Sequence, residues 1–440
     1  MTIPIPTTSL LGLAYIIAAY FLYVSLSSIL SSRQNTAKAR QRKCQDPPEL
    51  KSRYPFGIDL LLRLHSADKA KLFPVDLIQR FVDVGATTYK YTLPGVQNLM
   101  KALNLSLTSG NWMESVDLGV LFFRLTLDSA TEFLFETSVD SQLDVFPGHG
   151  MLHSEAGAPN SSGFATALYW IFSPNSFMKN CKICHDFVDD FVRLALAKNP
   201  WEKQQRLAGA AEKYFCLDAL ATQTRDPVEL RTQALSLLLA GRDTTASHLS
   251  WLFLRLSQDP VRYKKLRDII IGEFGTYDKP SGITFSQLKD CRYLQPCNNE
   301  VLRLHPAVPV NARTANKDTS IPRGGGQDGL SPIFIPKRMA VEYSVHAMRY
   351  RADIWGPDVE RFKPERWEGR KLGWEYLPFN GGPRICLGQQ FSLTAASYVI
   401  VRLLQRFDQM EYLGKDPVIR HNLALTNSPA DPVEIRMHAA

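Results

Sequence analysis

Cysteine is scarce in this chain: seven residues in 440, at positions 44, 181, 184, 216, 291, 297 and 386. An odd, widely spaced set excludes a disulfide scaffold and fits a reducing compartment. No low-complexity tract and no repeat of fixed period occurs, which excludes a disordered chain and a solenoid. There is no arginine-rich arm and no zinc-finger spacing, so nucleic acid is not an expected partner. Nor is there a lysine, arginine, aspartate or glutamate before Arg33.

That last absence carries information. The uncharged run SLLGLAYIIAAYFLYVSLSSIL, Ser9 to Leu30, matches the length of about 20 residues that crosses a bilayer as a helix. Arg33, Lys38, Arg40, Arg42 and Lys43 follow it. Positive charge after the run keeps its C-terminal side in the cytosol. The expected organisation is an N-terminal membrane anchor over 1–32, a basic and proline-spaced linker over 33–56, and one main domain over 57–440. The net charge of +8 favours an acidic partner or an anionic membrane surface.

Along the main domain, helical periodicity dominates. Asp226 and Pro227 form a helix start signal, and the run they open continues to Pro260. Leu235 to Leu239 is nearly all apolar, so this part is expected to be buried. AGRDTTA, Ala240 to Ala246, then places a glycine, two charges and two hydroxyls in mid-helix. Polar groups in the middle of a buried helix mark a place for function. A further helix is expected to end near His305, and a small sheet with hairpins to span the region around the triple glycine at 324–326. The last long helix is expected over Gly388 to Phe407.

Two stretches have haem-type spacing. CKICH, Cys181 to His185, has the covalent c-type arrangement. That attachment takes place outside the cytosol, so these residues are read as part of a helix. FNGGPRICLG, Phe379 to Gly388, puts Cys386 at the end of a tight loop and just before a long helix. A helix N-terminus favours a thiolate, and Arg384 adds positive charge. Such a sulfur could be a nucleophile, a zinc ligand or a haem ligand. No second Cys or His at metal-finger spacing supports zinc.

FNGGPRICLG resembles the haem-binding signature of cytochrome P-450 monooxygenases, with Phe379, Gly382, Arg384, Cys386 and Gly388 on its fixed positions. EVLR resembles the family's Glu-x-x-Arg pair, as Glu300 and Arg303, and FKPERW supplies the arginine that joins them, Arg366. AGRDTTA resembles the oxygen-binding helix, with Asp243 and Thr244 as an acid–alcohol pair. The match runs from about Lys213 to Tyr412, and its text is nearest the fungal branch that hydroxylates n-alkanes and fatty acids.

The resemblance implies a mainly α (α+β) P-450 fold with a small β region. It implies haem b with Cys386 as axial ligand to the iron, and Arg384 and Arg313 as candidates for the propionates. Electrons would come from NADPH through a membrane-bound flavoprotein reductase, with Arg262, Lys264, Lys265 and Arg267 as contact candidates. The substrate would be a hydrophobic small molecule, hydroxylated at or near a chain end. Localisation would be the endoplasmic reticulum membrane, single-pass, with the catalytic domain cytosolic and membrane lipid as a partner. A haem-thiolate isomerase or dehydratase of lipid hydroperoxides, and a non-catalytic shortened isoform, are the competing readings.

The chain also departs from the family. The family's early Trp-x-x-x-Arg is missing, and its one match, Trp251 to Arg255, lies downstream of AGRDTTA. The chain reads as shortened near 85–98 and 164–170. Arg338 stands where the family has glycine, at a hairpin position suited to positive φ.

Overall fold

The computed structural model describes residues 7–45, 94–105, 110–135, 138–139, 141, 175–197, 216–414, 418–424 and 426–440. Most of 85–98 and all of 164–170, where shortening is expected, lie outside them. In chain order the elements are α1 (Thr7–Gln41), α2 (Pro94–Leu105), β1 (Val116–Asp117), α3 (Leu118–Phe135), α4 (Asn175–Ala197), α5 (Cys216–Gln223) and α6 (Pro227–Ser257). Next come α7 (Pro260–Phe274), α8 (Phe285–Asp290), α9 (Leu294–Leu304), β2 (Val310–Thr314), β3 (Thr319–Gly325), β4 (Ser331–Ile335) and β5 (Ala340–Ser344). After two short helical turns and a 3-10 turn over Pro364–Trp367 come α10 (Gln389–Arg406), β6 (Phe407–Tyr412), β7 (His421–Leu423), β8 (Asn427–Pro429) and β9 (Glu434–Ala439).

The chain divides into two compact units, residues 1–59 with 312–342, and residues 60–311 with 343–440. The first holds α1 and the hairpins. β3 and β4 pair antiparallel, Thr319 opposite Ile335 and Ile321 opposite Ile333, with an irregularity between Ile321 and Gly325. β2 pairs with β5. Among the described residues no helix is long and apolar enough to cross a membrane. Much of the Ser9–Leu30 run lies outside the described side chains, so the expected transmembrane helix is not established by the structure.

The second unit is built on α6, a helix of 31 residues and roughly 46 Å. Its start is fixed locally: the Asp226 carboxylate accepts from Val228 N–H and Pro227 occupies the first turn. Asp259 caps α7 in the same way through Arg262 N–H. The second half of α6, from Thr245 on, is almost wholly buried. It joins Leu99 of α2, Phe122 of α3, Leu266 of α7, Val301 of α9 and Ile400 of α10 in one core. The first half packs Leu230, Ala234 and Leu238 against α3, α4 and α5.

Leu235 to Leu239 is therefore not uniformly buried. Leu238 faces the core, while Leu239, about 100° round the helix, is 46% exposed. The described neighbours cover one side of a helix whose apolar run goes all the way round. A small antiparallel sheet, β1-β9-β6, closes the far edge of the core.

Arg338 has φ 71°, in the left-handed region that costs an L-residue about 1–2 kcal/mol. Its N–H donates to the Ala315 carbonyl at 2.7 Å, which fixes that conformation. Arg338→Gly is expected to stabilise the protein by about 0.5–1 kcal/mol, after glycine's own entropic cost. Urea unfolding checks this, and an unchanged or lowered midpoint counts against it.

Candidate active site

The loop before α10 is shaped by its own backbone. Cys386 N–H donates back to the Phe379 carbonyl at 3.0 Å, closing the turn. Asn380 (φ 62°) and Gly382 (φ 67°) supply two left-handed residues. Phe379 is half-buried, Arg384 is exposed, and Gly388 is the N-cap of α10. Cys386 is exposed as a residue, but partial burial of its sulfur pushes the thiol pKa up, and the Gly388 N–H pulls it down. The helix terminus therefore acts on this sulfur through one backbone N–H, against burial. Burial outweighs one hydrogen bond.

The polar middle of α6 is held beside this loop. Thr245 Oγ1 and Ser392 Oγ, on the first turn of α10, are 3.0 Å apart. The two neighbouring side chains face different conditions. Thr244 Oγ1 donates to the Ala240 carbonyl at 2.7 Å, the back-bond typical of helical threonine. Asp243 lies 3.3 Å from Arg242 Nε, yet its buried Oδ1 takes no hydrogen bond. Burial raises the Asp243 pKa, with Arg242 opposing it. An under-solvated carboxyl of this kind can hold a proton that a surface aspartate would lose.

Glu300, Arg303 and Arg366 meet in one buried network. Glu300 Oε2 accepts from Arg303 Nε at 2.9 Å and Trp367 Nε1 at 3.0 Å. Its Oε1 accepts from Arg303 Nη2 and Arg366 Nε, both at 2.9 Å, and from Lys363 N–H at 3.0 Å. Glu300 and Arg303 have no exposed side-chain surface. Arg366 also binds the Trp355 carbonyl at 2.8 Å and Asp358 Oδ1 at 3.1 Å. Sequence reasoning missed Trp367, the last residue of FKPERW, and Asp358, four residues before it. It also missed Arg349, fully buried, whose guanidinium lies 4.9 Å from the Tyr376 ring centroid and whose pKa burial lowers to about 9.

Other candidates are committed elsewhere. Arg313 belongs to the first unit, on β2, where its Nη1 donates to the Ala312 carbonyl at 2.8 Å. Cys181 and Cys184 are half-buried residues of α4. Trp251 Nε1 donates to the Asn427 carbonyl at 3.1 Å, and Arg255 Nε to His305 Nε2 at 3.0 Å. The four basic residues of α7 do not form a free patch. Arg262 and Lys265 both bind Glu365, at 3.1 and 3.0 Å, Lys264 binds Asp268 at 2.6 Å, and Arg267 donates to the Phe407 carbonyl at 3.1 Å.

The model of the family "Cytochrome P450" matches residues 77–432. The chain belongs to the cytochrome P450 family. Relatives of this P450 include cytochrome P450 monooxygenase g430 of a Fusarium species, 48% identical, the match taking in 97% of this chain and 90% of the relative. Cytochrome P450 52A4 of Candida maltosa is 45% identical over 72% of this chain. Cytochrome P450 52E1 of Candida apicola is 44% identical over 70%. The chain spans about three fifths of the length of these two Candida relatives. A crystal structure of a cytochrome P450 (CYP102L1) superposes with a TM-score of 0.62 at 24% identity, covering 79% of this chain and 73% of that one. That likeness supports the fold. By family this P450 is an oxidoreductase of the monooxygenase class, nearest the fungal alkane and fatty-acid hydroxylases.

The family implies haem, and the residues present fit it. A sulfur at the polarised start of α10 has the required chemistry, the exposed guanidinium of Arg384 two residues away suits a carboxylate, and the orphaned Asp243 Oδ1 lies on the neighbouring helix.

Removing one partner of the Glu300 network leaves a buried charge uncompensated. Glu300→Gln is expected to cost about 3–5 kcal/mol of stability in urea unfolding. A cost under about 1 kcal/mol would show that solvent reaches the network.

Three buried histidines and the half-buried His421 set the acid limit of this P450. Burial lowers the pKa of His248 to about 4 and of His346 to about 3, and it lowers His305 and His421 as well. Below about pH 6.5 the unfolded chain binds protons that the folded chain refuses, so stability falls as pH falls. Each group contributes a slope of about 1.4 kcal/mol per pH unit between its folded and unfolded pKa values. The urea midpoint is expected to drop steeply between about pH 6.5 and pH 5, and a level midpoint there contradicts it.

Proposed function

We propose that this P450 inserts one oxygen atom from dioxygen into an unactivated C–H bond of a fatty acid or n-alkane, at or near the chain end. What carries the reading is the junction of α6 with the Cys386 loop. The Thr245–Ser392 contact joins α6, which carries the half-buried Asp243 and Thr244, to the first turn of α10, the helix that Cys386 precedes. Nearness to the fungal alkane and fatty-acid hydroxylases supports the substrate class.

In this reading Cys386 Sγ would hold the haem iron, and Arg384 would take a propionate as a charge-assisted pair. Bound haem would supply dioxygen activation, and a cysteine sulfur as its protein ligand would favour O–O cleavage. The chain's own part is proton supply and shelter. Burial raises the pKa of Asp243, with Arg242 opposing it, which suits a carboxyl that takes up and passes on a proton toward the site. Thr244 is committed to Ala240 through its hydrogen, but its oxygen lone pairs stay open to accept. The exposed face of α6 at Leu239 and Ala240 offers an apolar wall to a hydrocarbon chain.

NADPH delivers electrons through a flavoprotein reductase, and the +8 net charge suits an acidic partner. The uncharged N-terminal run, followed by basic residues, supports single-pass anchoring in the endoplasmic reticulum membrane with the catalytic domain in the cytosol.

Two other readings have an observation behind them. The Thr244 back-bond suits a hydroperoxide isomerase or dehydratase, which needs no acid–alcohol relay. The Fusarium alignment extends over 516 positions while taking in 97% of a 440-residue chain, so that relative carries several dozen residues with no counterpart here. This favours a shortened isoform with an incomplete pocket.

A reduced carbon-monoxide difference spectrum, followed by turnover with a long-chain fatty acid, separates the three. The monooxygenase reading expects a thiolate-type Soret band that Cys386→Ala abolishes, with product formed only when NADPH and reductase are present. Asp243→Asn is expected to keep the band and lower turnover about 10²-fold. Product from a lipid hydroperoxide without NADPH supports the isomerase, and absence of the band in the wild-type chain leaves the non-catalytic isoform.

A further inference from the structure

The end of α1 makes a set of contacts with the β3–β4 hairpin, all within the first unit. The helix stops at a turn centred on Lys43 (φ 56°), where Cys44 N–H donates to the Ala39 carbonyl at 2.9 Å. The chain then runs along β4, and Gln45 N–H donates to the Pro332 carbonyl at 2.8 Å. One helical turn back, Lys38 Nζ is 2.7 Å from Asp318 Oδ2. The other Asp318 oxygen accepts from Lys337 N–H at 2.9 Å. Together these donors hold the Asp318 carboxyl below its usual pKa. The Arg42 guanidinium lies over the Phe334 ring, 5.3 Å from its centroid.

The hairpin is cut to admit this segment. Gly325 is buried, and a Cβ there would stand 2.5 Å from the Gln45 carbonyl oxygen and 2.8 Å from that of Pro332. Real Cβ atoms do not approach backbone so closely, so only glycine lets the two strands meet. Gly326 (φ 77°) repeats the constraint, with its Cβ position 2.6 Å from Gln45 Oε1. Gly325 has no positive φ, so its smallness answers to close packing, against the facing strand at Pro332 and most tightly against Gln45.

We propose that the triple-glycine hairpin is a clamp, and that its ligand is residues 38–45 of this same chain. Backbone pairing at Gln45, the Lys38–Asp318 ion pair and the Arg42–Phe334 contact hold the base of α1, so helix and hairpin move as one body. Lys38 lies eight residues beyond Leu30, about 12 Å along the helix axis. Under the membrane-anchor reading, the clamp grips the chain just outside the lipid headgroup layer, which is about 5–8 Å thick on each side. The anchor then sets the height and tilt of the hairpin instead of trailing it on a loose tether.

The test is limited trypsin digestion of the purified full-length chain in detergent micelles, read by mass at the bonds after Arg40, Arg42 and Lys43. Gly325→Val is expected to speed cleavage there about tenfold or more, with fragments from beyond residue 343 appearing at an unchanged rate. Asp318→Lys is expected to speed it about twofold to fivefold, and adding Lys38→Asp to restore the slower rate. The charge-reversal series decides the matter by itself if Gly325→Val fails to fold. Equal cleavage in the wild type and Asp318→Lys, with no effect of the second reversal, overturns the clamp. No turnover is measured, so the result is independent of the monooxygenase reading.

Discussion

The second unit turns on one carboxylate that has no access to water. Glu300 offers two oxygens and receives five hydrogen bonds, from Arg303, Arg366, Trp367 and the Lys363 backbone. These donors come from α9 and from residues more than 60 positions later, so one side chain pins the later segment to the helix. The charge balance is uneven: the network's one fully buried anion faces Arg303 and Arg366, the partly exposed Asp358 reaches only the second of these, and Arg349 adds a third buried guanidinium nearby. Desolvating such charges costs several kcal/mol each, and Coulomb attraction alone does not offset it. The surplus is met by carbonyls of Trp355, Arg349 and Leu302, and by the faces of Trp355 and Tyr376. An arrangement with so many fixed donors tolerates little movement, so the chain that leaves it toward the Cys386 loop starts from a rigid base.

The long helix α6 shows the opposite economy in its middle. Its second half is saturated: Trp251 stacks on His305 at 3.9 Å, and Ser247 and Trp251 both donate to the Asn427 carbonyl. Two turns earlier, Arg242 Nε and Asp243 Oδ1 are buried and face each other at 3.3 Å, an ion pair without a well-formed hydrogen bond. Helix packing explains the contrast, because each side chain takes the environment of whatever lies opposite it. A charge pair short of hydrogen bonds is less firmly held than the saturated half of the helix, and its groups are freer to serve a bound molecule.

Legibility in the sequence followed range. Asp226 with Pro227, Asp259 with Pro260, and Gly388 act within one turn of their own position, and the helices they bound stand where the residues put them. The triple glycine marked a hairpin for the same reason. What stayed hidden depends on partners far along the chain. The basic stripe of α7 read as a free surface because Glu365, about 100 residues away, is invisible from it. Leu239 read as buried because composition cannot say which side of a helix its neighbours cover. Thr245, one residue past the acid–alcohol pair, gained its place only through Ser392, 147 positions on. Trp251 and Arg255 had the spacing of a haem-propionate pair, but folding spends both on Asn427 and His305.

The thiol of Cys386 sharpens what a helix terminus can and cannot do. The N-terminal end of α10 offers at most about half a unit of positive charge, spread over several N–H groups. Of these, the Gly388 N–H reaches the sulfur and lowers its pKa, while burial raises it by more. The shape of the loop does not depend on that balance. The Cys386–Phe379 backbone bond and two left-handed residues hold it. Under the proposed haem role, Cys386 would meet its strongest positive centre in the bound iron, where a ligating thiol is deprotonated.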